Sequence, residues 1–416
     1  MKVYELSLIL SLNLYYEYNI IMKKISDFEE EIYKCSRCGL CQSVCPVYKA
    51  ALNECCVSKA KFTMLNGIIK GDLRLNKRII NYLNLCTGCN ACKNFCPSNI
   101  DAREIFTAVK AQFYKENGQN IFERITDSYF LFKLMLIFAK IAFEIYRFFS
   151  FSKIATLFAN ILPKRLLLLD SLIGTKSVKY NSKSQKSEKL IYFAGCFNNY
   201  LNPSGKFALK TIFEKTGVQI VEKNFECCGI SYLSAGKIQQ YEKLAKTNLS
   251  KIPKDYDYIL TDCASCNFAL KEYAKHFPSE KTEKLAQKTI NVLEFLKNKK
   301  IIAKSHFRLS AHMPCHENFD FISIIKNIEN VDYVEAEDFD KCCGFSGKFA
   351  IQNLEISRKI AKSKAENFLK SNPDIIITTC PACELGIRQG LIELDKKNRT
   401  QVMNLVEFIA KYCEFA

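Results

Sequence analysis

The period of the hydrophobic positions changes along the chain, and each change marks a zone. Residues 3–21 are apolar and aromatic, but Glu5 and Glu17 interrupt them. Their uncharged core, residues 6–16, is too short to span a bilayer and has neither a basic n-region nor a small-residue cleavage site. Residues 129–169 are again apolar and rich in Phe. Here Lys133, Lys140, Glu144 and Arg147 recur at spacings of seven, four and three, which sets them on one narrow helical stripe. The opposite face carries Phe132, Leu136, Phe138, Phe143, Tyr146 and Phe149. The pattern predicts an amphipathic helix and not a spanning one. It serves either as a core helix joining domains or as an interfacial helix for a membrane or partner. Residues 174–189 are rich in Ser and Lys and read as a linker. From Leu190 onward, short β-branched runs (residues 190–193, 258–261 and 375–378) alternate with helix-like runs. This predicts α/β units around a mostly parallel sheet.

Within that last zone the pattern repeats. The first half carries Cys196, then Cys227-Cys228-Gly229, then Cys263 and Cys266. The second carries Cys315, then Cys342-Cys343-Gly344, then Cys380 and Cys383. Corresponding cysteines lie 115 to 119 positions apart. The strand-like runs precede cysteines, so those cysteines fall just past the C-terminal end of a strand, where open α/β sheets place their sites. Five ligands per half is one more than a tetrahedral zinc site uses. Adjacent Cys-Cys pairs suit a larger inorganic cluster better than a single ion, because neighbouring side chains diverge. Gly229 and Gly344 remove Cβ bulk where the backbone passes close to such a group. Zinc and an empty redox dithiol are the alternatives.

The N-terminal zone carries a second cysteine pattern. C-x-x-C-x-x-C-x-x-x-C-P occurs as Cys35, Cys38, Cys41, Cys45-Pro46 and again as Cys86, Cys89, Cys92, Cys96-Pro97. This is the spacing of a ferredoxin module holding two [4Fe–4S] cubanes, in which the fourth Cys of each run serves the other cluster. The implied sets are Cys35, Cys38, Cys41 with Cys96, and Cys86, Cys89, Cys92 with Cys45. Structural zinc sites use pairs of C-x-x-C rather than triplets. Cys55, Cys56 and Cys413 fit no pattern and read as spare thiols.

Composition changes the picture in two respects. The 416 residues suffice for two or three domains with real cores, and 21 cysteines in a long chain without a convincing signal peptide indicate a reducing compartment and metal clusters rather than a disulfide frame. The formal net charge of +17 ignores bound clusters, each worth about −2 with its four thiolates. The basic residues read as a solvated face, with attraction to anionic lipid or an acidic partner as the alternative. No helix-turn-helix, zinc-finger or aromatic RNA-binding pattern is present, so no nucleic-acid partner is expected. No G-x-G-x-x-G follows a strand, so no flavin or dinucleotide is expected on this chain.

These motifs resemble a known family. The repeats are similar to the cysteine-rich CCG domain of heterodisulfide reductase and its relatives. The order, a ferredoxin module and then two CCG domains, resembles two groups. One is the iron–sulfur subunit of glycolate oxidase and anaerobic glycerol-3-phosphate dehydrogenase; the other is the fused catalytic subunit of heterodisulfide reductase. His312-Met313-Pro314-Cys315-His316 and the run from Cys342 to Gly347 add to the likeness. The resemblance implies a noncubane [4Fe–4S] cluster on Cys196, Cys227, Cys228, Cys263 and Cys266. It implies a second on Cys315, Cys342, Cys343, Cys380 and Cys383. In the glycolate-oxidase group an Arg-Gly-Arg element follows the first Cys set, where this chain reads Ser58-Lys59-Ala60-Lys61.

The expected fold is multidomain α+β, a mainly helical dicluster ferredoxin module followed by two repeated α/β CCG domains. The expected boundaries are an N-terminal extension 1–22, the ferredoxin module 23–118, an amphipathic segment 119–173, the linker 174–189, and CCG domains 190–300 and 301–416. Translation from Met22 stands beside translation from Met1. His312 and His316, flanking Cys315, serve either a cluster sulfur or a structural hydrogen bond. No catalytic residue is singled out. The leading expectation is an electron-transfer subunit of a flavin-dependent dehydrogenase. An FAD-containing partner oxidises a 2-hydroxy acid or glycerol 3-phosphate, since Fe–S clusters accept no hydride. Two other readings stand beside it: a disulfide reductase working at a CCG cluster and fed by a membrane cytochrome or a flavoprotein, and an interaction module whose CCG half carries no cluster. The expected location is the cytoplasm, with peripheral contact at the inner face of the inner membrane as a variant.

Overall fold

A computed structural model describes residues 22–119, 189–218, 220–394 and 400–416, with isolated positions between 123 and 134. The expectations for the N-terminal extension, the amphipathic segment 129–169 and the linker lie outside these residues. No helix among the described residues is long and apolar enough to cross a membrane.

The N-terminal module is helical. α1 (Glu29–Tyr33) leads into the first cysteine loop, which holds α2 (Leu40–Ser43) and α3 (Pro46–Ala51). α4 (Ser58–Ile69) and α5 (Lys77–Asn84) follow, then the second loop with α6 (Ala91–Asn94), and the module closes on α7 (Ala102–Asn117). Pro46 opens α3 at a position where no amide is needed, and Asp101 caps α7 by accepting the Glu104 amide at 3.0 Å. The apolar faces meet in one core containing Phe28, Ile32, Phe62, Leu65, Ile80, Leu83, Phe106 and Val109.

The C-terminal zone consists of two sheets with the same strand order. In the first, β1 (Leu190–Tyr192), β2 (Ile220–Glu222), β3 (Tyr258–Thr261) and β4 (Thr289–Asn291) lie in the order β2-β1-β3-β4, all parallel. In the second, β5 (Ile301–His312), β6 (Glu329–Tyr333), β7 (Ile375–Thr378) and β8 (Gln401–Asn404) repeat that order as β6-β5-β7-β8. A short β9 (Cys413–Phe415) pairs antiparallel with the start of β5. β7 reads Ile-Ile-Ile-Thr and is wholly buried, as a parallel strand covered on both faces must be. The first sheet carries α8 (Gly195–Tyr200), α9 (Ser204–Thr216), α10 (Ile230–Ser234), α11 (Ile238–Lys251), α12 (Ala264–His276), α13 (Glu280–Lys288) and α14 (Val292–Leu296). The second carries α15 (Ile322–Lys326), α16 (Gly347–Gln352), α17 (Leu354–Lys370), α18 (Pro381–Glu393) and α19 (Leu405–Tyr412).

The two sheets share one apolar cluster, in which Leu209 and Phe213 of α9 join Phe408 and Ile409 of α19, while a separate cluster covers the other face of each sheet. The ends of β3 and β7 meet, where the Ala264 amide donates to Thr379 O at 2.8 Å. Asn404 Nδ2 donates to Asp262 O at 2.8 Å across the same junction. In both sheets the strand order reverses between the first and third strands, so a crevice opens at their C-terminal ends. α17 and α18 pack so closely that a Cβ on Gly390 would lie 2.0 Å from Ala361 O. Gly390→Ala should therefore part these helices and lower stability by about 2–3 kcal/mol, read as a drop in melting temperature.

Candidate metal centre

All 21 cysteines are free thiols. The second-domain set follows directly from the topology. Cys196 and Cys263 follow β1 and β3, and Cys315 and Cys380 follow β5 and β7, on either side of the two crevices. The Cys-Cys-Gly loops turn toward the same place. Gly229 and Gly344 sit at φ 82° and 78°, a left-handed conformation that an L side chain would strain. The loop geometry also lets the Gly229 amide donate to Cys227 Sγ and the Gly344 amide to Cys342 Sγ, each at 3.4 Å.

The ten cysteines line one cavity of about 380 Å³ rather than two separate ones. Neighbouring thiols lie close enough to shift one another's titration in an unbroken series. It runs from Cys196 through Cys227, Cys228, Cys266 and Cys263, and crosses to Cys380, Cys383, Cys343, Cys342 and Cys315. The crossing point, Cys263 to Cys380, lies where the ends of β3 and β7 meet. Cys89 of the N-terminal module also meets Cys342. The three cysteine-bearing units therefore bring their sulfurs within electrostatic reach of one another.

In the N-terminal module the sulfurs separate into two groups. Cys35, Cys38, Cys41 and Cys96 surround one small cavity, which Cys92 also reaches. Cys45 lies in the electrostatic field of Cys86 and Cys89, and burial pushes its thiol up to about 12. Burial likewise raises Cys92 to about 12, opposed by a 3.2 Å hydrogen bond from Ser58 Oγ. The Gly88 amide donates to Cys86 Sγ at 3.4 Å.

These residues fit an anionic iron–sulfur group better than a single ion. Among the described residues only His312, Cys343 and Cys383 bring three ligand atoms within 4.8 Å of one another, so neither five-cysteine set closes on one small cation. The stronger sign is a deficit of negative charge. Lys61, Lys110 and Lys364 are buried, yet none has a carboxylate partner among the described residues. Each Nζ donates to a backbone carbonyl instead: Lys61 to Leu85 O at 2.7 Å, Lys110 to Ser234 O, and Lys364 to Asp338 O. Burial holds Lys110 and Lys364 down at about 8. Buried cations need counter-charge. The nearest candidates are the cysteines: Cys86 acts on Lys110, and Cys343, Cys342 and Cys383 act on Lys364. Thiolates bound to an anionic cluster would supply that charge.

The histidines divide their two expected roles atom by atom. His312 closes β5, fully buried, and its Nδ1–H donates to Phe339 O at 2.9 Å. Nε2 is left as an acceptor beside Cys343 and Cys383. Burial lowers the ring to about 3, so it is neutral there. His316 meets Ser265 Oγ at 3.2 Å, and that hydroxyl lies 3.4 Å from Cys380 Sγ. Its ring stacks on Phe268, with centroids 4.7 Å apart and planes 8° from parallel. The Arg103 guanidinium lies 4.5 Å from the same Phe268 ring. Arg103, Phe268 and His316 come one from each cysteine-bearing unit. Nothing local in the sequence marks Arg103, Ser265, Phe268, Lys61, Lys110 or Lys364, because their roles arise only where distant segments meet. Cys56 packs with Val47, Phe349 and Ile360, and Cys413 lies in the shared core.

Comparisons with known proteins agree with this architecture. A 4Fe-4S dicluster domain matches residues 31–100, and a cysteine-rich domain matches twice, at residues 190–271 and 310–388. The chain is thus an iron–sulfur protein in which a 4Fe–4S dicluster module precedes a duplicated cysteine-rich domain. Among its relatives is the probable glycolate oxidase iron-sulfur subunit of Bacillus subtilis, 22% identical over 92% of this chain and 94% of that protein. One of the subunits of the dihydromethanophenazine:CoB–CoM heterodisulfide reductase of Methanosarcina acetivorans is 23% identical over the same shares, 92% and 94%. A chain of the fumarate reductase (CoM/CoB) of Methanothermobacter marburgensis is 30% identical, but over 52% of this chain and 45% of its own length. Each of these relatives is named as a subunit of a larger oxidoreductase.

Proposed function

We propose that this chain is the electron-relay subunit of a flavin-dependent dehydrogenase. A partner flavoprotein would oxidise a 2-hydroxy acid such as glycolate or lactate, or glycerol 3-phosphate, and this chain would pass the electrons toward quinone or another carrier. Two cubanes would be held by Cys35, Cys38, Cys41 with Cys96 and by Cys86, Cys89, Cys92 with Cys45. Two further noncubane clusters would be held by Cys196, Cys227, Cys228, Cys263, Cys266 and by Cys315, Cys342, Cys343, Cys380, Cys383. When bound, such clusters take up and release single electrons. The chain's own residues do the rest: thiolates hold, buried lysines balance charge, and amide–sulfur hydrogen bonds adjust potential.

The observation that carries this reading is the continuity of the sulfur sites. Exposed Cys38 marks one end, Cys89 meets Cys342 in the middle, and the thiol series crosses both cysteine-rich domains to Cys196. A relay needs a continuous route between an entry and an exit, and Cys315, at one end of the thiol series, is exposed as Cys38 is. The alternative is a disulfide reductase acting in the shared cavity, which the open space beside the half-buried, stacked Arg103 favours. Assay of the reconstituted chain alone, with reduced viologen and a small disulfide, separates the two. The relay reading expects no turnover above the uncatalysed rate. Sustained disulfide cleavage would replace it with the alternative.

A further inference from the structure

The two cysteine-rich domains repeat their cysteines but not what surrounds them. Ser265 stands between Cys263 and Cys266, and the corresponding place between Cys380 and Cys383 holds Ala382. His316 follows Cys315, where Phe197 follows Cys196. The two polar residues meet. His316 Nδ1 lies 3.2 Å from Ser265 Oγ, and that hydroxyl lies 3.4 Å from Cys380 Sγ. Ser265 thus belongs to the first domain but serves a sulfur of the second. Ala382 and Phe197 line the same cavity, but their side chains have no donor to offer a sulfur of the first. The direction of the bonds follows from the acceptor. A Cys380 thiolate holding a cluster carries no proton and can only accept, so Ser265 donates to it. That uses the one hydroxyl proton, and His316 Nδ1–H donates to Ser265 Oγ in turn. The stack on Phe268 holds the His316 ring in this orientation.

Charge divides the same way. Lys364 of α17 is buried in the field of Cys343, Cys342 and Cys383. In the first domain the helix in the corresponding place is α11, and it buries no charged residue. Each set also has a buried carboxylate beside a ligand. Glu384, next to Cys383, is paired with Arg388 at 2.5 Å. Asp262, next to Cys263, accepts from Asn198 Nδ2 at 2.7 Å and has no cation in ion-pair contact among the described residues. Glu226 before Cys227 and Lys341 before Cys342 are each offset, by Lys251 at 3.7 Å and Asp340 at 3.6 Å. An added electron is added negative charge, which a donor to sulfur or a buried cation stabilises. Both lie on the side of the second set.

We propose that the two cysteine sets of the shared cavity are unequal electron sites. The set of Cys315, Cys342, Cys343, Cys380 and Cys383 is reduced first, and Ser265, positioned by His316, sets much of the difference. This rests on the relay reading above and gives the relay an order. An electron leaving the N-terminal module, whose Cys89 is within electrostatic reach of Cys342, settles on the second set before the first. The partner flavoprotein loses that electron and this chain gains it; no bond is made or broken.

The test is a redox titration of the full reconstituted chain, followed by electron paramagnetic resonance, with iron content measured for every variant. Cys315→Ser changes a ligand of the second set alone and so identifies its signal. In the wild type the second set should be reduced at the higher potential. Ser265→Ala should weaken its hold on the electron about tenfold, a shift of about 59 mV for a one-electron couple, and leave the first set unmoved. Ser265→Thr keeps the hydroxyl and should keep the wild-type potential. If Ser265→Ala fails to load iron, Ala382→Ser/Phe197→His decides, since it should raise the first set and narrow the gap. A second set reduced with or after the first would overturn the proposal. So would a Ser265→Ala shift confined to the first set, or no shift in the variant that decides. A wild-type chain showing the signals of the N-terminal module alone would instead remove the relay reading itself.

Discussion

A Cys96→Ser chain is expected to lose about four iron atoms, and to lose them from the site of Cys35, Cys38 and Cys41 rather than from that of its own loop. Cys96 lies four to ten positions from Cys92, Cys89 and Cys86 in the sequence, but it lines the cavity of the other triplet. The Pro at position 97 follows it, as Pro46 follows Cys45, and Pro46 starts α3 and carries the chain away from its own loop. The reciprocal Cys45→Ser should strip the site of Cys86, Cys89 and Cys92, because Cys45 lies beside Cys86 and Cys89. Electron paramagnetic resonance of the two variants should therefore show different surviving signals. If each variant lost the signal of its own triplet, the exchange of fourth ligands would be wrong.

The second large effect concerns Lys364. Its ammonium is buried with no carboxylate in ion-pair contact, in the field of Cys343, Cys342 and Cys383 and, more weakly, of Asp340. In the loaded protein it offsets cluster charge, and in the cluster-free protein it is a burden. Lys364→Met should then act in opposite directions. With clusters bound, losing a unit charge at about 6 Å in an effective dielectric near 20 costs roughly 3 kcal/mol. For a one-electron couple this is a potential lower by on the order of 100 mV. Without clusters the variant should be the more stable protein, by about 3 kcal/mol at pH 7. The pH dependence fixes the sign. Burial depresses the Lys364 pKa from 10.5 to about 8, so below pH 8 the group is charged in both states and the folded state bears the full penalty. As pH rises from 8 through 10.5 the folded protein binds fewer protons than the unfolded chain, the penalty fades, and the advantage of the variant should vanish. Parallel denaturant titrations of the two cluster-free proteins at pH 7 and 10.5 measure it. An advantage that did not shrink would mean that the buried charge is not its source.

Much of this architecture can be read in the chain before it folds. The β-branched runs at 190–193, 258–261 and 375–378 correspond to β1, β3 and β7, because strands buried on both faces admit little else. The recurrence of Cys, Cys-Cys-Gly and Cys-x-x-Cys corresponds to a recurrence of strand order in two sheets. Other features depend on contacts between distant segments, and no local pattern carries them. Two five-cysteine sets read as two sites, but they open into one cavity, since Cys263 and Cys380 meet across the junction of β3 and β7. The contact of Cys89 with Cys342 joins segments some 250 positions apart. Lysine in a sequence reads as surface, and an excess of it reads as a solvated face. Lys61, Lys110 and Lys364 depart from that reading, because what they answer is the charge of a group that is not part of the chain. The pairing of β9 with β5 was equally invisible, being made by three residues at the C-terminus.

The central claim is that all four cysteine sets carry clusters and form one relay. It is tested most directly by iron and acid-labile sulfide per chain in anaerobically reconstituted protein, with electron paramagnetic resonance on the same sample. The account predicts about 16 iron atoms and as many sulfides, in four [4Fe–4S] clusters. About 8, with only the signals of the N-terminal module, would contradict it and leave the ten-cysteine cavity without its proposed function.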